Sequence, residues 1–398
     1  MAITLDGTAG IIVSGNTNTL SGVTVSRGGG SIATNTAVGA SALAANTTGA
    51  LNTAVGNGAL QSVTTGSGYT AVGYAAGSLL TAASDNYASV FMGWRAGNNT
   101  STATDVTFIG AAAGRLNTTG SSNTALGAAA LYSNTTASNN TAVGYQAGYS
   151  NTTGVSNSFV GKSAGLNNTT GANNSFFGFE AGGINTGGNG ITAIGYQALA
   201  NHSISGISNN TALGYLAGSA LTTGQVNVYL GSETGSSHTT GSAGIYIGRL
   251  ANSSSSSVGG ETVIGYNIQG KGTDTAFIGN PSGAYNGANT TTWSTTSDQR
   301  LKKNIVDNND GLEKINSIRV RNFEYRLPEE VTELATTTAV KKEGVQLGVI
   351  AQELQAVLPE CVKTESTGVM SVDADNLTWY LVNAVKELTA RIKQLEGN

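Results

Sequence analysis

The stretch Thr295–Ile305, TTSDQRLKKNI, sets Ser297 five residues ahead of Lys302 in a run that also holds Asp298, Arg300, Lys303 and Asn304. A serine hydroxyl is a weak nucleophile until a base takes its proton. Histidine is not at hand, because His202 and His238 both lie far upstream. A lysine can be that base only if burial or neighbouring cations bring its pKa far below about 10.4. Arg300 and Lys303 are the cations beside Lys302. Asp298 can orient such a pair or cap a following helix. The competing reading makes Ser297 a helix N-cap and Lys302 a solvated lysine.

The same stretch is a boundary in composition. Residues 1–296 carry 6 Lys/Arg and 7 Asp/Glu, whereas residues 297–398 carry 13 and 16. Neither part is basic enough to point to nucleic acid. The chain has 56 glycines but only 3 prolines and no Gly-X-Y period, which excludes collagen. Cys361 is the single cysteine, so no intrachain disulfide forms, and it reads as a small core residue. The N-terminal MAITLDGTAGIIVSG lacks the basic and apolar regions of a secretory signal. No stretch is apolar enough to span a membrane, so a soluble product without membrane insertion is expected. No His-x-His pattern or other metal set occurs, and no cofactor is expected.

Upstream of the boundary the chain repeats. A glycine closes an NTAVG-like unit at Gly39, Gly56, Gly73, Gly93, Gly110, Gly127 and onward to Gly279, and eleven of the fourteen steps are 17 residues. The exceptions are 20, 19 and 14. The residue before that glycine is always apolar, and an alanine usually follows three residues after it. Asn- and Gly-rich turns lie between copies. A period of 17 is too short for two helices, and its Thr and Val favour strands. Each unit therefore reads as a short strand, a corner, a second small-residue strand and a turn. One coil cannot bury its own face, so coils stack into a β-solenoid or β-roll. Its buried side chains are expected to be mostly Ala with one larger aliphatic per coil. So small a core favours association of chains, and a threefold oligomer suits a long repeat body.

The units NTAVGASAL, NTAVGNGAL, NTAVGYQAG and NTALGYLAG resemble the head repeats of YadA-type trimeric autotransporter adhesins. The resemblance implies a trimeric parallel β-roll over residues 31–280, although the spacing in that family is shorter. Tyr74, Trp94, Tyr145, Tyr196, Tyr215 and Tyr266 directly follow repeat glycines. They are candidate glycan contacts, since rings stack on sugar faces, or they form a purely structural ladder. The longer steps ending at Gly93 and Gly214 can supply contact loops. Asp6, Asp85, Asp105, Glu180, Glu233, Glu261 and Asp274 are too scattered to read as the carboxylate pair of a glycan hydrolase.

Beyond Gly311 the chain reads as a small α+β domain. GLEKINSI is a short helix, RVRNFEYRL a strand, and GVQLGVIAQELQAVLPE a strand feeding a helix that stops at Pro359. A hairpin turns around Gly368. In the final helix Leu381, Val385, Leu388, Ile392 and Leu395 step by 4, 3, 4 and 3, a heptad seam that serves either a trimeric coiled coil or packing on its own domain. The blocks SDQRLKKNI, GLEKINSIRVRNFEY, GVIAQELQAVLPE and MSVDADNLTWYLVNAVKEL resemble the S74 peptidase domain. That domain is the intramolecular chaperone at the C-terminus of phage tail spikes, endosialidases and neck appendages. The resemblance implies that residues 297–398 trimerise and guide folding of the fibre before them. It also implies a cut between Thr296 and Ser297, with Ser297 as nucleophile, Lys302 as base, and Asp298, Arg300 and Asn304 in support.

Together these readings give a mainly β, trimeric β-solenoid of about 17-residue repeats followed by a small α+β chaperone domain ending in a coiled-coil helix. Residues 1–30 would attach the fibre to phage tail or baseplate proteins, with the RGGG at Arg27–Gly30 as a hinge. Residues 31–280 would be the shaft, 281–296 the linker to the cleavage site and 297–398 the chaperone. The expected function is host recognition by a virion tail fibre or spike, assembled in the host cytoplasm and binding a surface glycan or protein receptor. The alternatives are a bacterial trimeric surface adhesin, or a fibre that keeps its C-terminal domain as a trimerisation or receptor tip.

Overall fold

The computed structural model describes residues 4–6, 10–12, 17–20, 23–81, 88–279, 298–334, 340, 342–365 and 368–397. It is mainly β, a β-solenoid of about 14 turns with repeats of about 17 residues followed by a small C-terminal domain with a final helix. Two compact units are present, Met1–Gly260 and Glu261–Asn398.

Each coil contributes one three-residue strand that pairs in parallel with the strand one repeat on. Thr124, Ala125 and Leu126 stand opposite Thr141, Ala142 and Val143, which in turn pair with Ser158, Phe159 and Val160. Register is thus the repeat length itself. The central residue of most repeat strands points inward and is fully buried, as at Ala125, Ala142, Phe159 and Phe176. The core is rich in Ala, as the composition implied. Its larger members, however, are Phe91, Phe108, Phe159, Phe176, Tyr229 and Tyr246 at strand centres and leucines such as Leu60 and Leu131 in the turns. The aliphatic residue before each glycine is not the buried one. Leu126 and Leu213 are each 45% exposed, and Met92, Phe177, Ile194 and Leu230 share their position on the outer face. The pleat explains this, because neighbours along a strand face opposite ways.

The repeat glycine is required twice over. Gly110 has φ +135, which L side chains rarely adopt, and a Cβ there would meet the Gly127 carbonyl oxygen at 2.4 Å. Beyond it, the expected second strand is replaced in most coils by a run of turns. The second residue after the glycine is left-handed, as at Ala112 (φ 57), Gln146 (φ 55) and Glu180 (φ 51), and one such residue breaks an extended pleat. A second strand does form at Gly187–Asn189, paired in parallel with Ser205–Ile207 beside the longer step that ends at Gly214.

The asparagines do more than turn the chain. Asn140 lies buried before its strand, its backbone N–H donates to Asn123 Oδ1 (2.9 Å), and its Nδ2 donates to the Gly154 carbonyl (2.9 Å). A second buried column runs through the turns: Asn134 Nδ2 donates to Asn117 Oδ1 (2.7 Å), and Asn151, Asn168 and Asn185 continue the chain of amides. These ladders satisfy backbone groups that a coil of so few strand residues would otherwise leave unpaired inside.

At the N-terminus Thr4–Asp6 pairs antiparallel with Gly10–Ile12. Val23–Ser26 then pairs antiparallel with the first repeat strand, Thr36–Val38. Gly28–Gly30 is not a hinge. Gly29 donates to the Leu43 carbonyl (2.9 Å), and a Cβ on Gly30 would meet the Thr47 carbonyl oxygen at 2.1 Å. The three glycines allow the chain to lie directly on the first coil.

In the second unit the C-terminal elements follow the order read from the sequence. They are α1 (Leu312–Ser317), Arg321–Phe323 paired antiparallel with Gln346–Gly348, α2 (Ala351–Gln355), the hairpin Val362–Thr364 with Met370–Val372, and α3 (Ala374–Glu396). Leu354, Leu358 and Cys361 form a small buried core, with Ile318, Val349, Val357, Leu377 and Tyr380 packed around it.

Candidate functional site

Thr296 and Ser297, the expected cleavage junction, lie outside the described residues. Immediately after them Asp298 caps a single 3-10 turn, Gln299–Leu301, its Oδ1 accepting from the Arg300 backbone N–H (2.8 Å). The Arg300 guanidinium returns to the same carboxylate, with Nη2 to Oδ2 at 2.6 Å and Nε to Oδ1 at 3.1 Å. That guanidinium, and after it the backbone N–H, hold the Asp298 carboxyl below its usual range. Asp298 thus caps this turn, and Arg300 is paired with it. Lys302 ends the turn, its backbone N–H donating to the Gln299 carbonyl (3.1 Å), and its side chain is exposed in the single chain. Asn304 takes a left-handed conformation, φ 55, which asparagine tolerates better than most residues.

The domain behind this turn is held by contacts that no local pattern announces. Arg321 meets Glu353 through two bonds, Nη2 to Oε1 at 2.7 Å and Nε to Oε2 at 3.1 Å, joining the strand Arg321–Phe323 to α2. That paired guanidinium lowers the Glu353 pKa. Cys361 is buried, and burial pushes its thiol up, as suits an inert core residue.

Helix α3 has two faces. Leu377, Tyr380 and Ala384 pack inward. On the same side Asn383 Nδ2 donates to the Asn308 (2.8 Å) and Asp310 (3.1 Å) carbonyls, and Glu387 Oε1 accepts from the Leu312 N–H (3.2 Å). A Cβ on Gly311 would lie 2.5 Å from the Ala384 nitrogen, so glycine allows α1 to approach α3 this closely. The heptad residues are a different set. Leu381, Val385, Leu388, Ile392 and Leu395 are all exposed in the single chain, Val385 at 61%. Packing on the chain's own domain thus uses one face and leaves the heptad seam uncovered.

On the solenoid, Tyr74, Trp94, Tyr145, Tyr196, Tyr215 and Tyr266 are all exposed. Most ring faces here are already occupied. Phe179, Tyr196 and Tyr215 stack at 5.1 and 5.2 Å between centroids, and Lys162 lies 5.2 Å from the Phe179 ring centroid. Arg95 and Arg115 lie over Trp94, at 4.8 and 5.7 Å. Lys162 and Phe179 were missed in the sequence reading, although both directly follow repeat glycines. A parallel column joins Arg115 to Tyr132 (Nη1 to Oη, 2.7 Å) and Tyr132 to Tyr149, stacked at 4.9 Å.

The described residues thus define a repetitive β-solenoid body and a separate small α+β domain with an exposed helical seam. Comparison with known families matches residues 297–363 to the family model Peptidase_S74, described as the chaperone of endosialidase. The matched segment starts at Ser297 and covers the capped turn, α1, the paired strands and α2. No described helix is long and apolar enough to cross a membrane.

Proposed function

We propose that this chain is the fibre or spike of a tailed phage, a homotrimer whose solenoid recognises the host surface. Residues 297–398 fold and align the three chains, then cut themselves off between Thr296 and Ser297. The observation that carries this reading is the chaperone-of-endosialidase match at residues 297–363, in a chain whose preceding body is a β-solenoid. Two apolar seams support the trimer. One is the outward column of residues before the repeat glycines, and the other is the heptad face of α3. Both leave large side chains in water in one chain, and association of copies removes them from it. In this reading the N-terminal strands attach to tail or baseplate proteins, and the receptor is a surface glycan or protein.

Intact mass of the purified chain beside Ser297→Ala and Lys302→Ala tests the maturation step. The expected wild-type products are residues 1–296 and 297–398, with both variants whole. Cleavage that persists in either variant removes the assigned dyad.

A second reading keeps the C-terminal domain as a permanent tip. It is favoured by the exposed side chain of Lys302 and the pairing of Arg300 with Asp298 within one chain. For the self-cleaving reading, the burial that a lysine base needs must come from neighbouring copies. A wild-type chain that trimerises and stays whole selects this second reading.

A further inference from the structure

An open groove of ≈ 360 Å³ runs along the solenoid between Leu166 and Ser219. Three of its lining residues belong to one column of the repeat. The fifth position after the glycine holds Tyr132 and Tyr149 in earlier coils, but Gly183, Ala200 and Ser219 here. Gly183, Ala200 and Ser219 thus line the groove at a repeat position that carries a full ring in the coils of Tyr132 and Tyr149. Beside them the chain is braced, because Glu180, Gln197 and Leu216 line the groove and directly follow the stacked rings Phe179, Tyr196 and Tyr215.

The lining mixes apolar and hydrogen-bonding groups. Leu166, Ile184 and Leu216 offer flat apolar contact. Glu180 Oε2 accepts from Gln197 Nε2 (2.7 Å), a bond that leaves Glu180 Oε1 and Gln197 Oε1 to accept from a ligand. Asn167 and Asn201 add amide groups at the rim. No lysine or arginine lines the groove, and its only charge is the carboxylate of Glu180. Such a surface suits a ligand with apolar C–H faces and many hydroxyl or amine donors, and it disfavours an anion. Three coil steps of about 4.8 Å give it the length of a short oligosaccharide.

We propose that this groove binds a neutral or amino-bearing oligosaccharide, with Glu180 and Gln197 as hydrogen-bonding anchors. The proposal rests on reading the solenoid as a recognition surface and adds the ligand class and its place. It also moves the contact from the stacked ring faces of Phe179, Tyr196 and Tyr215 to the groove beside them.

Calorimetric titration of the full chain with maltotriose, glucosamine trisaccharide, trigalacturonate and trilysine tests it. Maltotriose or the glucosamine trisaccharide is expected to bind, and trigalacturonate is not. Ala200→Tyr places in the groove a residue that the same column already holds at Tyr132 and Tyr149, so the fold should stand, as circular dichroism would check, while binding is lost. Glu180→Gln is expected to weaken the glucosamine trisaccharide by at least about tenfold, the effect of losing a charge-assisted hydrogen bond. The proposal is overturned if neither sugar binds, if Ala200→Tyr binds as the wild type does, or if trigalacturonate or trilysine is preferred. Adsorption to a panel of bacterial cells separates the two readings. Equal adsorption by wild type and Ala200→Tyr leaves surface recognition standing and removes the groove. Intact, Ala200→Tyr-sensitive trisaccharide binding without adsorption to any cell removes surface recognition and leaves the groove.

Discussion

The buried asparagine column changes character at two coils, where histidine takes its place. His238 is well accommodated, with Nδ1 2.7 Å from the Tyr229 hydroxyl and Nε2 2.9 Å from the Val258 carbonyl oxygen. His202 fits less well. Its Nε2 lies 3.1 Å from the Gly224 carbonyl oxygen and 3.0 Å from Asn210 Nδ2, while its Nδ1 is buried without a partner. Desolvation lowers its pKa below the ordinary value, more than the Gly224 carbonyl raises it. The folded state then binds protons less readily than the unfolded chain does. Stability is full above about pH 6.5 and is lost progressively as pH falls below it. The loss at about pH 5 is at most about 2 kcal/mol, from 1.36 kcal/mol per pH unit. His202→Asn continues the amide column of Asn168 and Asn185 and removes the titrating group. Melting curves between about pH 8 and about pH 5 should flatten in that variant; an unchanged pH slope would place the acid sensitivity elsewhere.

At the scale of elements, helix α3 allows its two faces to be tested separately. Val385→Asp changes a residue that is mostly exposed in the single chain, so the thermal stability of the domain should shift by less than about 0.5 kcal/mol. A charge in the seam of a three-helix assembly is far more costly, and sedimentation velocity should show loss of the oligomer. An oligomer that survives Val385→Asp and Leu388→Asp together would show that the seam is not the interface. Both faces of this helix were legible in the sequence only in part. The heptad spacing was plain, but the inward set Leu377, Tyr380 and Ala384 depends on where Gly311 and Asn308 meet the helix, more than sixty residues away in sequence. The solenoid shows the same division. Its 17-residue period and obligatory glycine could be read directly. The inward and outward faces of its strands could not, because three residues are too few for alternation to reveal a phase. The asparagine ladders were hidden for another reason: asparagine is equally expected in a turn, and only the stacked coils show its side chain reaching the next repeat. The equivalence of Tyr149 and Ala200 within one column, on which the groove reading draws, has meaning only once the coils are aligned.

At the scale of the molecule, the solenoid is built from contacts one repeat apart, yet the proposed trimer needs three chains in register before any outward seam is covered. Such assembly is slow when each copy must find the others by diffusion, and a linked trimerising domain raises their local concentration. Once that domain is removed, the proposed fibre is held by its barrier to unfolding. Uncut Ser297→Ala protein should therefore recover its trimer after denaturation and dilution, whereas the isolated 1–296 product should recover at least about tenfold less. Equal recovery, followed by light scattering, would remove the need for a folding domain.

The identity of register and repeat length has a consequence for descent. Ala125 pairs with Ala142 as Ala142 pairs with Phe159, and the repeat glycine meets the repeat glycine of the next coil from Gly39 to Gly248. An in-frame duplication or loss of one coil in the gene therefore leaves the backbone ladder and the glycine stack with equivalent neighbours. Unequal recombination between near-identical repeats can lengthen or shorten this body, and can shuffle a tyrosine-filled column against an open one, without redesign of either end.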